Sequence, residues 1–230
     1  MSLKLDQVIP WGRCLDEYIG MFSLTSSDLN LAILDCAGGT ASFNAEMTRQ
    51  GQNVISCDPD YQFTAGEIRT HLPEYHTFIN GFELSKDFHT WKYFDSPNHL
   101  GEVRRRATEE FLEDFPSGLE QGRYVNASLP NLSRFDNDQF DLALCSHFLF
   151  TYSDRFSENF HLQAITEMCR VAKEVRVFPL LDRFGGISEH LNPIRTILRN
   201  RSFHVETPVV KYQFQKGGNK MLRVSKKSSA

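Results

Sequence analysis

The run Ile33-Leu34-Asp35-Cys36-Ala37-Gly38-Gly39-Thr40-Ala41 constrains this chain more than any other. An apolar stretch ends in an acid, and a loop of small residues follows. Ser42-Phe43-Asn44-Ala45-Glu46-Met47 then opens a helix, with Ser42 placed to cap its start and Gly51 placed just past its end. Val54-Ile55-Ser56-Cys57 reads as a second buried strand that stops at Asp58-Pro59. Strand, helix and strand in such close succession form a βαβ unit with parallel strands and a right-handed crossover. In an open sheet of this kind, ligands bind outside the carboxyl ends of the strands. Ala37, Gly38 and Gly39 lie at that end, where small residues allow the backbone to approach a ligand closely.

The rest of the chain extends the pattern. Residues 11–24 carry apolar side chains at Trp11, Leu15, Tyr18, Ile19 and Phe22, the spacing of a helix. Residues 62–72 are expected to be helical, Glu83 to Tyr93 mixes aromatic and charged residues, and Glu102 to Leu112 reads as a charged helix ended by Pro116-Ser117-Gly118. No buried strand is evident between residues 61 and 121, so the segment is read as a helical insertion or lid. Crossover helices with a long surface excursion are the alternative. Strands are expected at 122–127, 140–145, 174–179, 204–214 and 221–225, with helices at 158–172 and 188–200. Lys216-Gly217-Gly218-Asn219 is a hairpin signature between the last two strands. The whole chain, 1–230, is read as one domain with an N-terminal helical cover at 1–30. Its class is α/β: a doubly wound, mostly parallel, Rossmann-like sheet with a C-terminal antiparallel hairpin.

Composition narrows the partners. A net charge of −4 gives no electrostatic case for nucleic acid or an anionic membrane. No apolar run approaches the length of a membrane span, and the start of the chain has no apolar signal core. Five scattered cysteines, mostly set in apolar runs, read as reduced thiols of a cytoplasmic protein. His71, His76, His89 and His99 lack metal-ligand spacing, so no metal site is expected.

The loop discriminates among nucleotide ligands. A dinucleotide site needs G-x-G-x-x-G to seat pyrophosphate on the helix N-terminus. Here only one of those three positions holds glycine, in the frame Ala37-x-Gly39-x-x-Ser42. Asp35 would also oppose a pyrophosphate. Asp58, 23 residues later, ends the next strand, where a carboxylate accepts hydrogen bonds from a ribose diol. The two acids together suit a nucleoside with a cationic end. A nucleotide-dependent oxidoreductase or epimerase on a related sheet is disfavoured by the missing glycines.

These residues resemble the first motif of the class I S-adenosylmethionine-dependent methyltransferases, an apolar strand, an acid and G-x-G-x-G. Ala37 and Ala41 stand at the outer glycine positions. The resemblance implies that Asp35, Ala37, Gly38 and Gly39 hold the methionine part of the cofactor. It implies that Asp58 binds the ribose with Pro59 near the adenine, and that Ala127-Ser128 lies beside the adenine. Phe140 to Phe150, with Cys145 at the strand end, looks like the family's fourth strand and the helix start after it. The start Gly12-Arg13-Cys14-Leu15-Asp16-Glu17-Tyr18 is similar to that of a bacterial subgroup of unassigned substrate.

Methyl transfer needs a general base only if the acceptor must lose a proton. His147 is the candidate base, with helix capping or shaping of the substrate pocket as its alternative. Arg13 could pair with the cofactor carboxylate, or be a solvated arginine. The aromatic group Phe88, His89, Trp91 and Tyr93 could line a substrate pocket or pack a core. Arg104-Arg105-Arg106 reads as a solvated helix face ion-paired with nearby acids. The expected activity is methylation of a small-molecule acceptor. A non-catalytic binding protein that keeps the cofactor site is the alternative, motivated by the two alanines.

Overall fold

The computed structural model describes residues 12–72, 79 and 86–227. Trp11, His76, Glu83 and the tail Ser228-Ser229-Ala230 lie outside the described residues. Among the described residues, seven strands form one sheet in the order β3-β2-β1-β4-β5-β7-β6. The strands are β1 (Ile33–Cys36), β2 (Val54–Cys57), β3 (Tyr124–Val125), β4 (Phe140–Ser146), β5 (Ala172–Phe178), β6 (Phe203–Glu206) and β7 (Leu222–Lys226). The first five are mutually parallel, and β7 runs antiparallel to both β5 and β6. The strand order reverses between β1 and β4, which places a crevice at their carboxyl ends.

Alternation along the strands fills both faces of the sheet. Ile33, Leu142 and Leu144 pack on one side against α1 (Leu15–Phe22) and α2 (Phe43–Arg49). Leu34, Cys36, Ala143 and Cys145 pack on the other against α5 (Glu158–Val171) and α6 (Leu191–Asn200). Burial on both faces explains why β1 and β4 read as continuous apolar runs. The aromatic group splits: half-buried Trp91 and His89 pack toward Phe214, with His89 stacked on it at 4.4 Å, while Tyr93 is exposed along one edge. Phe88 points outward.

Helix α3 (Ala65–His71) is capped by Thr64, whose hydroxyl accepts from the Glu67 N–H. Helix α4 (Pro97–Glu120) corrects the expected stop at Pro116-Ser117-Gly118. An interior proline costs about 3 kcal/mol. Here Phe111 and Phe115 pack on Tyr61 and Tyr124, and Gly118 lets the Tyr124 ring lie directly on the helix. That packing holds the last turn in place. The same helix corrects the reading of Arg104-Arg105-Arg106. Arg104 falls on the buried stripe with Leu100, Ala107 and Phe111, while Arg105 and Arg106 face solvent.

Two local expectations also change. Ser42 does not cap α2; its hydroxyl donates to the Glu46 carboxylate at 2.6 Å. The strand expected over 204–214 ends at Glu206, before Pro208, which has no N–H for the ladder. Residues 208–210 still pair with 219–221 through a Val209–Lys220 bridge, and farther on the chain turns to another partner: Thr90 N–H donates to the Phe214 carbonyl at 2.7 Å, and Gln215 bridges to His89. The glycine turn at 217–218 survives, with Gly217 at φ 81°. Among the described residues, no helix is long and apolar enough to cross a membrane.

Candidate functional site

A cleft of ≈ 360 Å³ opens at the carboxyl ends of β1, β2 and β4. Its walls contain Arg13, Ala37, Gly38, Gly39, Asp58, Pro59, Ala127, Ser128 and His147. The fold thus brings together nine positions singled out from the sequence, drawn from five separate stretches of chain.

The loop after β1 is shaped by steric demand. A Cβ on Gly38 would come within 2.6 Å of Asp35 Oδ2 and 2.8 Å of the Tyr61 hydroxyl. Any larger residue there would have to displace the Asp35 carboxylate and the Tyr61 hydroxyl. Ala37 adopts φ 55° and Gly39 φ 51°, both left-handed. An alanine in this region costs about 1–2 kcal/mol, yet the loop takes the path a glycine would give it. The Gly38 N–H donates to the Cys57 carbonyl at 3.2 Å, and Tyr61 donates its hydroxyl to the Gly39 carbonyl at 2.9 Å.

Asp58 stands at the tip of β2 and reaches across to this loop. One carboxylate oxygen accepts the Gly39 N–H and the other the Asp60 N–H, each at 3.0 Å. A carboxylate oxygen has room for a second donor, so Asp58, which lines the cleft, keeps spare acceptor capacity there. Burial pushes its pKa up to about 6, against the pull of those two N–H groups.

Asp35 and Cys145, both expected at the cofactor, are not among the residues that line the cleft. Strand alternation sends Asp35 sideways toward α1, on the face shared with Ile33. There it accepts from the Tyr18 hydroxyl and the Ser56 hydroxyl, each at 3.1 Å. It is a support beneath the loop, and burial lifts its pKa to about 7. Tyr18 stacks on Phe43 with ring centroids 4.2 Å apart and shows part of its surface to the cleft. Cys145 points to the opposite face, in register with Cys36, which is itself in register with Cys57. Burial pushes the Cys145 thiol up to about 12, so it is an inert core group.

His147 comes directly after β4, at φ 50°. Its N–H donates to the Phe178 carbonyl at 2.6 Å, and its Nδ1 lies 2.9 Å from the Ser146 hydroxyl. Burial, with the charges of Arg13 and Arg104, drives its pKa well below the usual value. The ring is therefore neutral at pH 7. No helix begins at His147, so the capping alternative falls away.

The sequence reading missed an aromatic wall. Phe148, Phe156 and Phe160 line the cleft, with Phe156 and Phe160 stacked at 4.4 Å. Their four-residue spacing was visible, but Phe156 precedes the Ser157 cap of α5, so periodicity did not join it to the helix. Also missed was Glu17, which is fully buried among charged groups and to which the apolar spacing of the helix assigned no role.

An uncharacterized protein, MJ0045, from Methanocaldococcus jannaschii is 32% identical over 222 residues, covering 96% of this chain and 97% of the relative. The chain belongs to the family of that protein. No protein-family model matches the chain. Among solved structures, an O-methyltransferase family protein from Burkholderia thailandensis aligns over 91% of this chain and 55% of its own, with TM-score 0.50 and 13% identity. Magnesium protoporphyrin IX methyltransferase from Synechocystis PCC 6803 aligns over 93% and 78%, with TM-score 0.48 and 14% identity. The likeness rests on the first of these, and at such identity it is one of fold alone. With its strand order, the chain has the class I methyltransferase fold.

Proposed function

We propose that the protein is an S-adenosylmethionine-dependent methyltransferase acting on a small-molecule acceptor. The observation that carries this reading is Asp58. It is locked by two backbone N–H groups, lines the cleft with acceptor capacity to spare, and reaches the tight loop across the same space. That arrangement suits a ribose diol. The cradle fits the rest of such a cofactor: the Cβ-free surface at Gly38 and the left-handed turn at Ala37 give the loop the shape the family's glycines provide. Ala37 therefore does not count against cofactor binding.

When bound, S-adenosylmethionine supplies a methyl group activated by its sulfonium. The chain's own residues position the reactants and exclude water. Asp58 would hold the ribose hydroxyls, Ala127 and Ser128 would flank the base with Pro59, and Arg13 would meet the carboxylate. His147 lines the cleft and is the candidate to take a proton from an acceptor hydroxyl or amine, although the burial and the Arg13 and Arg104 charges that keep it neutral also weaken it as a base. The five cysteines are free thiols, four of them buried, which supports a cytoplasmic location.

Thermal shift with S-adenosylhomocysteine tests the cofactor. A native-state ligand raises the melting temperature by mass action, and Asp58→Ala is expected to abolish that rise. An unshifted wild-type protein at millimolar ligand overturns the reading.

A further inference from the structure

The segment Gly12-Arg13-Cys14-Leu15-Asp16-Glu17-Tyr18 stands out in the sequence, and the cleft accounts for only part of it. The remainder forms a latch around Arg13. Arg104, reaching in from α4, donates to the Gly12 carbonyl at 3.1 Å. Its guanidinium also forms a two-pronged pair with Glu17, one prong at 2.6 Å. Glu17 in turn accepts the Tyr212 hydroxyl at 2.9 Å and the Cys14 N–H at 3.4 Å. The Arg13 carbonyl accepts the Ser42 N–H at 3.0 Å. Both neighbours of Arg13 are thus tied to one buried ion pair, and Arg13 itself is tied to the start of α2.

Steric fit points the same way. A Cβ on Gly12 would meet the Thr108 Oγ1 at 2.4 Å and the Thr108 backbone nitrogen at 2.8 Å. Only glycine lets the strap lie flat on α4. Leu15 and Tyr18 anchor the following turn in the core. Among the described residues lining the cleft, Arg13 is the one permanent cation. Burial pushes the Glu17 carboxyl up, but the Arg104 guanidinium outweighs this and keeps it ionised. An ion pair removed from water is weak support for stability, and is better explained by the geometry it specifies.

We propose that the buried Glu17–Arg104 pair and Gly12 are positioning residues that set Arg13 in the cleft to bind the carboxylate of the ligand's amino-acid end. This rests on the cofactor reading above. It separates two ends of the cleft: Asp58 serves the nucleoside, and the strap serves the amino acid. Helix α4 thereby acts on the cleft through the strap it holds.

The test compares two ligands by titration calorimetry. S-adenosylhomocysteine carries the amino-acid end, and 5′-methylthioadenosine keeps the nucleoside but lacks the carboxylate. Arg13→Met is expected to weaken S-adenosylhomocysteine about ten- to a hundredfold, the scale of a lost charged hydrogen bond, and to leave 5′-methylthioadenosine unchanged. Arg104→Lys keeps the charge but loses the fork, and Gly12→Ala lifts the strap from α4. Both should show the same selective loss, with melting temperatures recorded for each. A merely structural role would weaken both ligands alike. If wild-type protein binds neither ligand, the cofactor reading fails and takes the proposal with it. If wild-type protein binds both, and Arg104→Lys and Gly12→Ala leave the ratio of affinities unchanged, the positioning proposal alone is overturned. Should Arg104→Lys not fold, Gly12→Ala carries the comparison.

Discussion

Replacing Asp35 with asparagine isolates one buried charge whose effect on stability has a definite sign. The side chain is 1% exposed, beneath the loop, and accepts from two hydroxyls. Burial lifts its pKa from 3.8 to about 7. A carboxyl with a raised folded-state pKa binds its proton more tightly folded than unfolded. Its contribution is therefore best below the unfolded pKa, declines as pH rises through the window between the two values, and levels off above about 7. Between pH 5 and pH 8 the loss is about 2–3 kcal/mol. Asp58, raised to about 6, acts with the same sign, and His147, lowered, acts oppositely at acid pH. Both persist in the variant, so the difference between the two proteins reports Asp35. Asparagine preserves shape and carries no charge, so its stability should fall by that much less over the window. Urea unfolding of the ligand-free proteins at fixed ionic strength, at intervals from pH 5 to pH 8, measures this difference. Parallel curves for wild type and Asp35→Asn would refute the reasoning, because Asp35 would then not be an ionised group paying for its burial.

Other perturbations probe the same supports. Glu17→Gln leaves Arg104 buried opposite a neutral amide and should cost about 3–5 kcal/mol in denaturant unfolding. Gly38→Ala drives a methyl against Asp35 and Tyr61; a loss of about 1–3 kcal/mol is expected, together with a weaker response to S-adenosylhomocysteine in thermal shift. Gly118→Ala meets the Tyr124 ring at 2.3 Å and should loosen the end of α4, seen as faster amide exchange in its last turns. The imidazole of His147 should stay neutral on titration well below pH 6.5, as followed by NMR of its ring protons; protonation near 6.5 would contradict its buried setting.

Local sequence settled those features whose rules need no distant partner. Two-faced apolar runs at 33–36 and 140–146 could only be central strands, because each face must meet a packed layer. The acid after β2 and the small-residue loop after β1 fall at strand ends by chain order alone, and the crevice forms there. Hence Asp58, Ala37, Gly38 and Gly39 were legible. Direction and depth were not. Asp35 sits one residue before the end of β1, and pleat parity turned it to the side, a consequence of which face α1 covers. Arg104 looked the same as Arg105 and Arg106 until helix phase and the position of Glu17 separated them. The proline at 116 read as a stop because the aromatic contacts that override it come from the turn after β2 and from β3. Strand 204–214 broke because Tyr212 found Glu17 and Phe214 found the 88–94 segment. The sequence by itself determined the sheet and the carboxyl end at which a ligand would bind. Only tertiary structure decided which polar groups face that end and which are buried behind it, because the choice depends on contacts between residues far apart in the chain.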